Sequence, residues 1–184
     1  PGVPSAGQRS VLVTDVVRTP QHTFVKPLLI GLPNRHNTLF DFETAALAVW
    51  SIGDTARQRT EGKTWYWEAA GTPIFRGSPR GEISLHDGRR EFVPQLVGQF
   101  PSEIDSFEHT AGGISFRHRL SFAAGPSGSP TVLSVRQRVA PHRDGEWSGF
   151  RRWIDFSGVP ADVLLQIRVA DSAAVRPIRS QHGD

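Results

Sequence analysis

ISFRHRLSF, Ile114 to Phe122, and TVLSVRQRV, Thr131 to Val139, are the two runs whose reading decides the fold. In the first, Ile114, Phe116, Leu120 and Phe122 alternate with Ser115, Arg117, Arg119 and Ser121. In the second, Leu133, Val135 and Val139 alternate with Ser134, Arg136 and Arg138. Successive side chains of an extended chain point to opposite faces, so this alternation predicts two strands, each with one apolar and one polar face. The Gly/Pro/Ser segment from Ala123 to Pro130 reads as the loop between them. The pair predicts an antiparallel hairpin, apolar inward and basic outward.

Upstream lies a second organising stretch, Leu29 to Gly53, LIGLPNRHNTLFDFETAALAVWSIG. An apolar run is closed by Gly31 and Pro33, and Asn34-Arg35-His36-Asn37 reads as a polar loop. Thr38 to Phe42 and Ala45 to Ile52 then flank Glu43 and Thr44, which predicts strand, loop, strand, tight turn, strand. Glu43 to Trp50 also has some helical character. Ser10 to Val17 and Thr23 to Ile30 read as strands, with Pro27 predicting an edge or a bulge because proline cannot donate to a ladder. Gly53 to Gly62 reads as a charged surface loop, Lys63 to Glu68 as a strand and Gly71 to Gly81 as a turn-rich segment. Asp87-Gly88-Arg89-Arg90 is a hairpin turn between Glu82 to His86 and Glu91 to Gln99. Glu146 to Phe156 and Asp162 to Ala170 complete the set, the last with Val163, Leu165, Ile167 and Val169 inward.

About ten short strands of this kind predict an all-β fold, an antiparallel β-sandwich. Residues 1–9 read as an N-terminal arm, 10–170 as one sandwich domain and 171–184 as a polar tail. The chain opens on Pro1, which reads as a processed or truncated start.

The 184 residues include no cysteine. Disulfides, thiol catalysis, zinc–thiolate sites and Cys-x-x-Cys-His heme attachment are thereby excluded. The net charge is +3, and Lys26 and Lys63 are the only lysines, so arginine carries almost all the positive charge. No recognition motif for nucleic acid accompanies it, and none is expected as a partner.

Three sets of residues are candidates for a site. Trp65 and Trp67 would share one strand face, either as a stacking platform for a sugar ring or as core aromatics. The seven histidines are scattered without metal-ligand spacing, and His118, on the apolar side of its strand, reads as a hydrogen-bonded core or edge residue. No nucleophile elbow or phosphate-binding glycine loop occurs, and the carboxylate pairs Asp41 with Glu43 and Asp144 with Glu146 read as turn residues. No catalytic residue, cofactor or metal is expected. The remaining feature is a basic strip. Arg117, Arg119, Arg136 and Arg138 are predicted to point outward, with Arg143, Arg151 and Arg152 nearby. Seven arginines against Asp144 and Glu146 give +5 between Ile114 and Arg152. Guanidinium groups pair bidentately with carboxylate and phosphate. Arg117, Arg119, Arg136, Arg138, Arg151 and Arg152 are therefore the predicted partner-binding set.

Gly31-Leu32-Pro33, Leu39-Phe40-Asp41 and the run ending in Val49-Trp50, followed by Trp65-Tyr66-Trp67 through Gly77 and by Ile114 to Arg152, resemble a heme-free β domain. That domain occurs in large bacterial extracytoplasmic dehydrogenase-like proteins of planctomycete type, which carry c-type cytochrome modules. The resemblance implies a non-catalytic accessory or structural subunit of an extracytoplasmic (periplasmic), cytochrome-associated electron-transfer assembly. It would bind protein partners, a c-type cytochrome among them, or an anionic membrane surface. The alternatives are a carbohydrate-binding module built on Trp65 and Trp67, and a sandwich-fold hydrolase or lyase.

Overall fold

The computed structural model describes residues 2–3, 9–77, 81–95, 102–122 and 128–168. The end of the predicted strand at Val169 and Ala170, residues 96–99 and 123–127, and the tail 171–184 lie outside the described residues.

The middle of the molecule is a hairpin with no solvent face. β5 (Pro27–Gly31) and β6 (His36–Asp41) are buried at every position. They lie inside a five-stranded sheet, order β10-β7-β6-β5-β2, with β2 (Val11–Val13), β7 (Ala46–Ile52) and β10 (Thr72–Arg76). Leu28, Ile30, Leu32, Phe40 and Phe42 project to one side and meet Ile114, Phe116 and Val139. Leu29, Leu39 and Val49 project to the other side and meet Val17, Phe24 and Ala56, with Trp67 packed alongside. Apolar burial on both faces is what makes this sheet the middle layer.

One outer layer is the sheet β1-β8-β9-β3-β4. Its strands are β1 (Gly2–Val3), β3 (Val17–Arg18), β4 (Thr23–Phe24), β8 (Ala56–Glu61) and β9 (Thr64–Ala69). The other outer layer is the antiparallel sheet β13-β14-β15-β16, built from β13 (Ser102–Thr110), β14 (Gly113–Phe122), β15 (Thr131–Asp144) and β16 (Trp147–Ser157). A three-stranded sheet, β12-β11-β17, covers the part of its inner face near Leu120 and Leu133. Its strands are β11 (Ile83–His86), β12 (Glu91–Phe92) and β17 (Leu164–Ile167). Ile83 and Leu85 pack there against Leu120, Phe122, Leu133 and Val135. The fold is thus all-β and sandwich-like, and no helix occurs among the described residues.

β14 and β15 form the predicted antiparallel hairpin, with Ile114 opposite Val139 and Phe122 opposite Thr131. Phe116, Leu120 and Val135 are buried as expected, whereas Val163 is only half-buried at the edge of its cluster. The strands are more numerous than the alternation predicts, seventeen among the described residues in place of about ten, and many are short. Ser10 to Val17 and Thr23 to Ile30 each break into two pieces. Pro27 needs neither an edge nor a bulge, because it is the first residue of an interior strand, where a missing N–H costs little. Gly53 to Gly62, expected as a loop, contains β8, and Gly71 to Gly81 contains β10. β8 escapes the pattern because only Ala56 reaches the core and the other five residues are exposed. Gly2 and Val3, within the stretch read as an arm, pair with Arg57 and Ala56.

The polar loop expected at 34–37 is shorter than that. His36 and Asn37 are buried members of β6. Their polarity is satisfied within the fold: Trp50 Nε1 donates to His36 Nδ1 at 2.9 Å, and Thr55 Oγ1 donates to Asn37 Oδ1 at 2.9 Å. Burial holds the His36 pKa below its ordinary value. Thr55 also explains Gly31. A Cβ at that position would lie 2.0 Å from Thr55 Oγ1, well inside van der Waals contact.

Phe116 sits between the layers, 5.0 Å ring to ring from Phe40 and 6.5 Å from Phe42. Phe116→Ala is expected to destabilise the fold by about 3–5 kcal/mol, measured as a lowered urea midpoint at unchanged slope. A loss below about 1 kcal/mol would mean that the two layers do not close on this ring.

Candidate functional site

Cross-strand neighbours share a face, so the register fixes which side chains the β13–β16 sheet turns outward. They are Glu103, Ser106 and Glu108 on β13, Arg117 and Arg119 on β14, Arg136 and Arg138 on β15, and Arg151, Trp153 and Asp155 on β16. Arg117, Arg119, Arg136 and Arg138 are exposed there, as predicted, and Arg151 is exposed beside them.

Arg152 is not among them. It lies opposite Val139, on the inner face, and its side chain is 11% exposed. It forms an ion pair with Glu82, whose side chain is 9% exposed, and its Nη2 donates to Glu82 Oε2 at 3.0 Å. The strip reading placed two adjacent residues, Arg151 and Arg152, on one surface, whereas a strand sends neighbours to opposite faces.

The strip is also far less basic than its own segment implies. Arg119 pairs with Glu103 and Asp105, and Arg136 pairs with Glu108 and stands opposite Asp155. β13 supplies three of these carboxylates, and no strand was expected there. The alternation in β13 is broken by a register shift between Ile104 and Ser106. The extra residue sends Ile104 and Phe107 to the same inner face, three positions apart, and a period-two reading misses it.

One end of the face remains cationic. Arg138 stacks 3.9 Å from the centre of the Trp153 ring, and Arg151 lies 5.9 Å from the same ring. Neither reaches a carboxylate within ion-pair distance among the described residues. Arg151 also contacts His142 at 3.4 Å. In phase with Trp153 along β16, Trp147 is 83% exposed at the hairpin tip. Trp153, Trp147 and His142 were not singled out from the sequence. The legible signal was the spacing Trp147, Arg151, Trp153, all odd-numbered and hence on one face of a strand.

Trp65 and Trp67 share a face but meet edge to face, with centroids 6.4 Å apart and planes at 89°. Trp67 packs on the core beside Val17 and Val49, and Trp65 is 48% exposed. Perpendicular rings do not form a flat platform. On the other side of β9, Tyr66 lies beneath Arg18, which also binds Glu61.

The inner face carries a chain of buried polar groups. Arg152 Nε donates to Gln137 Oε1 at 2.7 Å, Gln137 Nε2 lies 2.8 Å from His118 Nε2, and His118 Nδ1 lies 2.8 Å from Ser102 Oγ. A guanidinium can only donate, so Gln137 accepts from Arg152 and must donate through its amide nitrogen. His118 Nε2 is then an acceptor, and the ring proton sits on Nδ1, directed at Ser102. A serine that accepts from its histidine has no base to remove its own proton. This Ser–His pair is in the wrong tautomer for nucleophilic catalysis. Asp41 is committed to its turn, accepting from the Glu43 N–H at 3.1 Å and from Thr44 Oγ1 at 2.9 Å. Among the described residues, no three His, Asp or Glu side chains converge to hold a metal.

No family model, no characterised protein and no solved structure matches this chain.

Burial, with the Arg152 charge adding to it, pushes the His118 pKa from 6.5 down to about 3. The unfolded chain binds a proton there below about pH 6.5 and the folded chain does not, so stability is full above that pH and falls as the pH drops toward 3. The expected slope from this residue approaches about 1.4 kcal/mol per pH unit. Urea titrations of wild type and His118→Gln between pH 7 and 4 measure it. Parallel curves for the two proteins would show that His118 titrates alike in the folded and unfolded states.

Proposed function

We propose that this chain is a non-catalytic docking domain. It binds an acidic protein surface through the Arg138, Trp153, Arg151 and Trp147 end of the β13–β16 sheet. The observation that carries this reading is the division of charge on one face. Arg119 and Arg136 are neutralised by their own sheet, while Arg117, Arg138 and Arg151 have no carboxylate within ion-pair distance among the described residues, and of these Arg138 and Arg151 flank an indole. Arginine and tryptophan are enriched where interfaces concentrate their binding energy. A guanidinium lying against an indole is partly desolvated and held in place, so less ordering remains to be done when a carboxylate arrives.

The partner class implied by the resemblance, an acidic c-type cytochrome in an extracytoplasmic assembly, meets this chemical requirement. That identity rests on the resemblance alone, and the surface itself asks only for clustered carboxylates. An anionic membrane is the competing anionic surface. The edge-to-face packing of Trp65 and Trp67 gives the carbohydrate-binding reading no specific support, and the tautomer of His118 removes Ser102 from a hydrolase reading.

Co-purification with the native complex at low and moderate salt tests the proposal. Arg138→Glu with Arg151→Glu is expected to reduce retention by about tenfold or more, and added salt to weaken the wild type. Arg119→Gln, which removes a cation already paired within the sheet, is expected to change retention less than threefold, a fraction of 1 kcal/mol. Equal loss from both variants, or none from either, would contradict the assignment. Retention on phosphatidylserine vesicles with none on protein would assign the face to a membrane.

A further inference from the structure

The opposite side of the same sheet has a different chemistry. Among the described residues β13 is an edge strand, paired only with β14. Its inner face shows Ile104, 39% exposed, and Phe107, 49% exposed. These two form one wall of a largely apolar cleft of about 560 Å³, whose facing wall includes Thr14, Lys26, Pro27 and Phe42. The cleft is where the middle sheet stops short of covering the β13–β16 sheet. The outward side chains of β13 are acidic. Glu103 and Asp105 share the single cation of Arg119, and Glu108 meets Arg136 at 3.4 Å. The edge therefore presents an apolar row inward and a carboxylate row outward, with one carboxylate in excess of its bound arginines.

We propose that β13 accepts an additional strand from a protein partner, an extended segment in which apolar and basic residues alternate. Its backbone continues the sheet from the run Ser106–Thr110, beyond the bulge. Its apolar side chains enter the cleft beside Phe107 and Phe42, and its basic side chains stand next to Glu108 and Glu103. Strand addition of this kind takes affinity from main-chain hydrogen bonds and specificity from pockets for alternate side chains. The charge pattern argues against a second copy of β13 as the occupant. Antiparallel self-pairing centred on Ser106–Thr110 would set Glu108 against Glu108 of the second copy, and like charges placed opposite one another on a sheet are destabilising. The bulge and the acids also protect an otherwise adhesive edge, and they restrict it to a partner of opposite charge.

A fluorescein-labelled, end-blocked heptapeptide of alternating Arg and Ile serves as the probe, with a Glu/Ile peptide of the same pattern as control. Anisotropy is expected to show saturable binding of the Arg peptide, with the Glu peptide weaker by at least tenfold. Glu103→Gln with Glu108→Gln should weaken the Arg peptide by about tenfold. Both positions are exposed, so this variant remains informative if Phe107→Ala, the test of the cleft, fails to fold. Hydrogen exchange should show new protection confined to Ser106–Thr110. Equal binding of the two peptides, an unchanged affinity for the glutamine variant, or protection elsewhere would overturn the proposal. So would concentration-dependent dimerisation abolished by a Phe107 substitution, which would assign the edge to a second copy.

Discussion

The β5–β6 hairpin is buried on both faces, and that constraint accounts for most of the architecture. A strand pair with one wet face needs a single cover. This one carries Leu28, Ile30 and Phe40 on one side and Leu29 and Leu39 on the other. At roughly 1.5–3 kcal/mol for each large apolar side chain removed from water, neither face can be left open. The chain before and just after the hairpin folds into one cover and the residues from Ser102 onward into the other. Three polar members of β6 find a partner inside, His36 with Trp50, Asn37 with Thr55 and Asp41 with its own turn, whereas the buried Thr38 hydroxyl has none among the described residues.

The β13–β16 sheet is larger than the layer it covers, and this creates the second feature of the molecule. Its inner face carries two apolar clusters, one against the middle sheet and one against the three-stranded sheet. The row His118, Gln137, Arg152 and Glu82 runs between them, and Glu82 also accepts the backbone N–H of Leu47 in the middle sheet at 3.1 Å. One ion pair thus ties three sheets together. Burying such a pair costs several kcal/mol per ion before the attraction is counted, and the further hydrogen bonds from Gln137 and Leu47 offset part of that cost. The geometry depends on register: a one-residue slip of β15 on β16 would send Gln137 and Arg152 to opposite faces.

The strongest alternations in the sequence became two of the three longest strands, β14 and β15, and the inward or outward sense of Arg117, Arg119, Arg136 and Arg138 was legible there. The central stretch was legible as strand, turn, strand, turn, strand, because Pro33 and the Asp41 turn punctuate it. The helical character read over Glu43 to Trp50 gives way to β7, where the ladder with β6 decides the conformation. β8 was illegible because its exposed residues have no apolar period, and β13 because a bulge resets its phase. Missing β13 had a functional consequence. Its acids neutralise Arg119 and Arg136 and leave Arg117, Arg138 and Arg151 uncompensated, the last two beside the Trp153 ring, which no pattern of charge would find. Arg152 was misplaced because its neighbour Arg151 was read with it as one patch.

The two edges of the β13–β16 sheet therefore differ in kind, the β13 edge acidic over an apolar cleft and the β16 side cationic over indoles. Both are positioned by the same central hairpin, and native-state hydrogen exchange measures that dependence most directly. Strand amides that open only with the whole molecule exchange at the global unfolding free energy. If the doubly buried hairpin holds the layers together, the amides of β5 and β6 are the slowest in the chain and share one free energy with those of β14 and β15, while β8 and β9 open earlier. Exchange of β6 as fast as that of β8, with β14 and β15 still protected, would show that the outer sheet is stable without its middle layer and would contradict this account.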